Sequence, residues 1–219
     1  MLSPRAQSAP MKKFGTYSIV WHPGTYRVRL ASFFDGSRFH RFEHVEDLLK
    51  EMLSPRRSGS NYFAHCGGLA DIQFIIPYLR KMPNVKAYAI FAGASAIVLD
   101  VRSGKNRWLF SDSYWLFREQ LEDVIFDFTG EKVPEAESDS LNYSELSEWV
   151  ASRCRGLAYS IGKFQKTIRQ MGGSLRSTAA ATSTLESAKL FASASSPPIG
   201  MRTPPPPTSA IVPSILCSR

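Results

Sequence analysis

Asn61-Tyr-Phe-Ala-His-Cys-Gly-Gly-Leu-Ala-Asp-Ile-Gln-Phe74 is the stretch that decides the fold. Tyr62 to His65 is a short apolar run with the make-up of a buried strand. Gly67-Gly68 then allows a tight turn, and Phe74, Ile75, Ile76 and Leu79 place a helix over Ile72 to Met82, with Asp71 entering its first turn. A strand that ends in a glycine turn and hands one carboxylate to a helix is where α/β proteins present reactive groups. Pro77 costs about 3 kcal/mol inside a helix, so a kink or an early end is expected there.

Upstream, Tyr17 to Trp21, Tyr26 to Phe33 and Ser37 to Phe42 are β-branched and aromatic runs separated by Pro23-Gly24 and Asp35-Gly36. They read as a three-stranded antiparallel meander. Val45, Leu48, Leu49 and Met52 then recur at helical spacing, and Pro55 with Ser58-Gly59 closes that helix. Downstream, strands are expected at Val85 to Phe91, Ser95 to Val101 and Arg107 to Ser111, with turns at Gly93 and Gly104. The pattern becomes helical after Phe117: Leu121 to Phe128, Leu146 to Met171 and Leu175 to Phe191. Pattern alone therefore gives α/β or α+β. Residues 1–14 read as a flexible leader and 193–219, with Pro204 to Pro207 in a row, as a disordered Pro/Ser-rich tail. The folded domain is placed at 15–192.

Composition bounds the function. The 219 residues are 43% hydrophobic and 12% aromatic, enough for a packed core, and the net charge of +8 with pI near 9.5 suits a polyanionic partner. The longest apolar runs, such as Tyr88 to Leu99, fall short of the roughly 20 residues of a membrane span, and the N-terminus lacks the apolar core of a secretory signal. Cys66, Cys154 and Cys217 are widely spaced, which argues against a zinc site and against a disulfide framework and fits a reducing cytoplasm.

The central stretch resembles the second exonuclease motif of the protein-primed family B DNA polymerases of viruses, phages and linear or mitochondrial plasmids, commonly written Ala-His-Asn-Gly-Gly-x-Phe-Asp. Phe110-Ser-Asp-Ser-Tyr-Trp-Leu116 is similar to that family's Phe-x-Asp-Ser-Tyr-x-Leu strand end. Cys154-Arg-Gly-Leu157, Phe164-Gln165, Gly172-Gly-Ser-Leu175 and Thr178-Ala179 resemble the helix of its third motif and the segment after that helix. The resemblance spans about residues 20 to 192. It implies a ribonuclease H-like 3′-5′ exonuclease fold, an α/β mixed sheet flanked by helices, in an intracellular setting: cytoplasm, virion or a mitochondrial element. It also implies DNA replication, with single-stranded DNA 3′ ends as partner.

The family's chemistry is metal-assisted phosphodiester hydrolysis, in which about four carboxylates hold two Mg²⁺ ions roughly 4 Å apart. Against that pattern the first motif, Asp-x-Glu, is matched by His22 and Gly24. The second keeps Asp71 but has Cys66 for Asn and Ala70 for the aromatic. The third, Tyr-x-x-x-Asp, becomes Trp149 to Arg153. Asp71 is thus the one family carboxylate retained, as catalytic or metal-binding residue, and is expected to pair with Arg153 where a metal should sit. Hydrolysis is therefore expected to be impaired, and a polymerase palm is expected to be lacking. Asp112 is either near substrate or a strand-end cap. DNA contacts are assigned to His65, Tyr114, Gln120, Arg27 and Arg29, the last two sharing a strand face. Leu121 and Val124 read more simply as core. Two further readings stand beside this one: a catalytically dead ribonuclease H-like protein-interaction module, and a nuclease with a relocated metal set using Asp100, Asp112 or Glu148.

Overall fold

The computed structural model of the protein describes residues 13–22, 24–134 and 136–170. Of the two compact units into which the chain divides, the first ends at Phe164 and contains the whole sheet. The second begins at Gln165 and is described through Gln170. The expected helix at Leu175 to Phe191, the Gly172-to-Ala179 block, the proline-rich tail and most of the leader lie outside the described residues.

The meander forms β1 (Phe14–Trp21), β2 (Val28–Phe34) and β3 (Phe39–Phe42). β1 begins inside the stretch expected as leader. β2 begins two residues later than expected because Tyr26, at φ 53°, stands in the left-handed region and cannot enter a ladder. α1 (Val45–Met52) comes next, then β4 (Asn61–Ala64) and α2 (Ile72–Leu79). Pro77 lies within α2, and the helix stops two residues beyond it. β5 (Val85–Ala92), β6 (Ser95–Ser103) and β7 (Asn106–Asp112) form a second antiparallel set. The short α3 (Tyr114–Phe117), α4 (Leu121–Thr129) and the long α5 (Tyr143–Gln170) complete the described chain.

These strands make one mixed sheet of seven, in the order β3-β2-β1-β4-β7-β6-β5. β4 is inserted between the two antiparallel sets and runs parallel to both β1 and β7. Side-chain alternation sends neighbouring residues to opposite faces. Tyr62 joins Phe33, Phe110 and Trp108 under α1 and α2, whereas Phe63 packs with Leu121, Ile125, Leu157 and Ile161 of α4 and α5. On the same side as Phe63, Leu30 of β2 meets Leu146, Val150 and Cys154 of α5. The mixed sheet flanked by helices is the architecture the sequence led us to expect. Among the described residues no helix is long and apolar enough to cross a membrane.

Two local features orient the site. α5 starts at Tyr143 rather than Leu146 because Asn142 and Glu145 form a reciprocal capping box. The Asn142 N–H donates to Glu145 Oε2 and the Glu145 N–H to Asn142 Oδ1, each at 3.0 Å. Thr16 Oγ1 donates to the Cys154 carbonyl at 2.7 Å, tying α5 to β1. Cys154 is free and buried, which pushes its thiol up to about 12.

Candidate functional site

β1, β4 and β7 run in one direction side by side, so their C-terminal ends meet at one pole of the sheet. From β1 this pole receives Trp21 and His22, from β4 the His65-to-Asp71 turn, and from β7 Asp112 and Ser113. The carboxyl end of parallel strands is where open α/β sheets bind ligands.

The turn after β4 is shaped by close approach. Cys66 takes φ 58°, a left-handed conformation that Asn tolerates far better, and Gly67 and Gly68 come directly after it. A Cβ on Gly67 would stand 2.5 Å from Ala64 Cβ and 3.3 Å from Asp71 Oδ2. One on Gly68 would stand 1.8 Å from the Ala96 carbonyl oxygen. Gly68 is bonded on both sides: its N–H donates to Asp112 Oδ2 at 3.1 Å, and its carbonyl accepts from the Ala96 N–H at 3.0 Å. Gly68 is thus required because the turn is wedged between the ends of β6 and β7, and Gly67 because the chain there folds back against Ala64 and Tyr17.

Asp71 immediately precedes α2 but its side chain makes no capping bond. The β1–β4 ladder ends at Thr16 opposite Phe63, and beyond it the carboxylate of Asp71 accepts the Ile19 N–H. Asp71 is 6% exposed; burial, and then the charge of Asp112, raise its pKa well above the ordinary carboxylate range. Asp112, 5% exposed, accepts from the Tyr114 N–H (2.9 Å) and the Gly68 N–H, and also from the Cys66 N–H and the Ser95 hydroxyl. Burial still outweighs these donors and pushes it up to about 6. Tyr17, buried beside them, is raised by burial first and then by both carboxylates. Two buried carboxyls and a phenol thus share one pocket of protein in which negative charge is disfavoured and protons are retained.

His65 lies at the same pole. Its Nε2 faces the Glu119 carbonyl at 2.8 Å and therefore carries the proton, while Nδ1 lies 3.1 Å from Ser113 Oγ. Burial, aided by the charge of Arg153, holds it down at about 4. The neutral ring ties the end of β4 to the α3–α4 connection. Tyr114 packs edge-on against it at 5.9 Å.

The expected Asp71–Arg153 ion pair does not form. Arg153 instead pairs with Glu122 of α4 and lies over the Trp149 ring at 4.5 Å. Burial lowers it to about 10, so it stays charged at neutral pH. Arg29 does not form a phosphate track with Arg27 either: its guanidinium donates to the carbonyls of Ser138 and Leu141 and faces Asp139. Arg27 is exposed in the β1–β2 connection, as are His22 and Gly24. Gln120 occupies the position before α4, while Leu121 and Val124 are core, in line with the simpler reading of their spacing. Asp100 is engaged by Arg102 and Arg107 on β6 and β7. A cavity of about 280 Å³ opens at the other pole, between Lys13, Asp35, Arg56 and Tyr62, away from these carboxylates.

Sequence reasoning missed Tyr17, the Ile19 N–H and Glu122. For Glu122 there was a signal: a cation placed in a helix that faces the core requires a counter-charge on the element packed against it.

Three solved structures of phi29 DNA polymerase share this architecture. The complex with single-stranded DNA matches with a TM-score of 0.57 at 13% identity, over 72% of this chain and 32% of that one. The ternary complex with primer-template DNA and incoming nucleotides matches with a TM-score of 0.55 at 14% identity, over the same shares. The post-translocation binary complex matches with a TM-score of 0.55 at 14% identity, over 69% and 32%. The fold is ribonuclease H-like. No family model and no curated protein sequence matches the chain. The chain spans about a third of the length of the polymerases whose fold it shares. In this ribonuclease H-like frame, the three candidate motifs fall at the end of β1 and in the connection after it, on the β4–α2 turn and on α5.

Proposed function

We propose that the chain is an exonuclease-like DNA-binding domain of the protein-primed family B polymerase type in which metal-dependent hydrolysis is impaired. The state of the carboxylates carries this reading. A pair of hard divalent ions needs several ionised oxygen donors with free lone pairs. Asp71 and Asp112 are buried and already accept protein N–H groups, and their pKa values are raised. His22 and Gly24 bring no carboxylate, and Arg153 brings a positive charge held by Glu122. This donor set does not fit two Mg²⁺ ions. The excess of 27 Lys and Arg over 19 Asp and Glu supports a polyanionic ligand. A single-stranded 3′ end approaching this pole would meet Tyr114, Gln120 and Arg27, with His65 behind them. We place the domain at 15–192.

The test is nucleotide release from a 3′-labelled single-stranded oligonucleotide with Mg²⁺ or Mn²⁺, alongside binding by anisotropy over a salt series. Salt-sensitive binding without release is expected. Metal-dependent release that is lost in Asp71→Ala would overturn the impairment. Absence of binding at any salt would leave the dead protein-interaction module as the better reading.

A further inference from the structure

Past β7 the sheet continues through β6 to β5, and on one face there it carries no helix among the described residues. Leu99, Val101, Trp108 and Phe110 point to the α1–α2 side. On the other side α4 and α5 pack against Phe14, Leu30 and Phe63, and no residue of β5, β6 or β7 enters those clusters. The register sets Lys86 beside Arg102 and Arg102 beside Arg107, a transverse row of cations on three neighbouring strands. At roughly 4.8 Å per strand the row spans about 10 Å. The next row places Tyr88 beside Asp100, and the one after it Ile90 beside Val98. Tyr88 is 54% exposed, and Arg102 lies over its ring at 5.4 Å. Asp100 bridges Arg102 (2.6 Å) and Arg107 (3.0 Å), which fixes both guanidinium groups while leaving each side chain about half exposed. Three cations against one carboxylate leave the patch positive.

From this geometry we infer a nucleic-acid platform on the open β5–β6–β7 face. It takes a single strand, with one base on Tyr88 and the backbone along Lys86, Arg102 and Arg107. A bare sheet offering an aromatic face beside cations suits unpaired bases, because the π-face of a base becomes available only outside a duplex. This surface is separate from the β1–β4–β7 pole and rests on the proposed function only for the class of ligand.

The test uses the full chain, a fluorescent oligothymidylate and anisotropy over a salt series. Tyr88→Ala should weaken binding about 5- to 100-fold with the salt slope unchanged, and Tyr88→Phe should bind like the parent. Lys86→Gln should reduce the slope by about 0.7. Photocrosslinking with a 5-iodouracil oligonucleotide should map to the peptide containing Tyr88. Circular dichroism of each variant establishes that it is folded. If the parent binds, yet these variants match it and crosslinks map only near Tyr114, the platform is overturned while the proposed function stands. If the parent binds no oligonucleotide, both fall. If Tyr88→Ala instead dissociates a dimer without changing DNA affinity, the face is a self-association surface and the platform is overturned.

Discussion

At position 68 a single added carbon would meet a backbone oxygen, Ala96 O at 1.8 Å, that cannot rotate away. Gly68→Ala is therefore expected to cost about 3 kcal/mol or more, since either the turn must lift off β6 or β6 must shift. A urea titration reads the loss directly; a cost below about 1 kcal/mol would mean that the turn is not wedged between the two strand ends. Arg153 makes a different point. Arg153→Asp supplies the residue type of the exonuclease motif that this stretch resembles, yet here it would set a second carboxylate against Glu122 and remove the cation lying over Trp149. The expected result is a loss of about 2 kcal/mol, with part recovered by Glu122→Gln in the same chain, and no metal-dependent cleavage. A double-mutant cycle by urea denaturation measures the coupling. Appearance of cleavage in the single variant would show that the pole needs only this one carboxylate to work.

α5 depends on its first turn and on its fit against α4. Asn142→Ala removes half of the capping box and should cost about 1 kcal/mol, read as a lowered thermal midpoint. Gly156 permits α5 to lie close to α4: an added Cβ would stand 2.8 to 2.9 Å from three carbons of Ile125. Strands and helices were legible in the sequence wherever local composition dominates, as in the meander, α1, β5 to β7 and α4. The errors at element ends have local causes. The helix start at Leu146 overlooked Asn142-x-x-Glu145, and the start of β2 overlooked the hairpin that forces Tyr26 into the left-handed region. The insertion of β4 between β1 and β7 was not legible from periodicity, because strand order is set by pairings between residues distant in sequence. For the same reason the glycine pair and Asp71 were found but misread in part. Motif spacing identified the turn, whereas the donors on Asp71 and Asp112 come from β1, β6, α3 and the turn itself. Nor did the sequence reveal that the counter-charge of Arg153 stands on α4.

Over the whole molecule, the pole's buried groups make opposing contributions to stability as pH changes. Asp112 rises from the ordinary 3.8 to about 6 on folding, so the folded chain holds its proton longer than the unfolded one. The stability tied to that proton is complete below pH 4 and is lost as pH climbs through 6, an effect of about 3 kcal/mol. His65 falls from 6.5 to about 4, so its contribution is complete above pH 6.5 and is lost as pH drops through 4, again by about 3 kcal/mol. In the shared window the two slopes have opposite sign and similar size. Asp71, also raised, adds a falling component of its own that begins near pH 4, where the unfolded chain starts to ionise, and runs on above 6.5, so the unfolding free energy of the parent chain should decline over the whole range. His65→Gln removes the rising component, and its stability should fall more steeply than the parent's from pH 4 to 6. Asp71→Asn keeps an oxygen for the Ile19 N–H but cannot ionise, so it should leave a nearly flat profile from pH 4 to 6.5 and abolish the decline above it. Urea midpoints at half-unit steps from pH 4 to 8 measure all three chains. A parent profile that climbs steeply from pH 4 to 6 would mean that Asp71 and Asp112 both ionise as ordinary surface carboxylates, and with it would go the argument that these carboxyls are unsuited to hold metal.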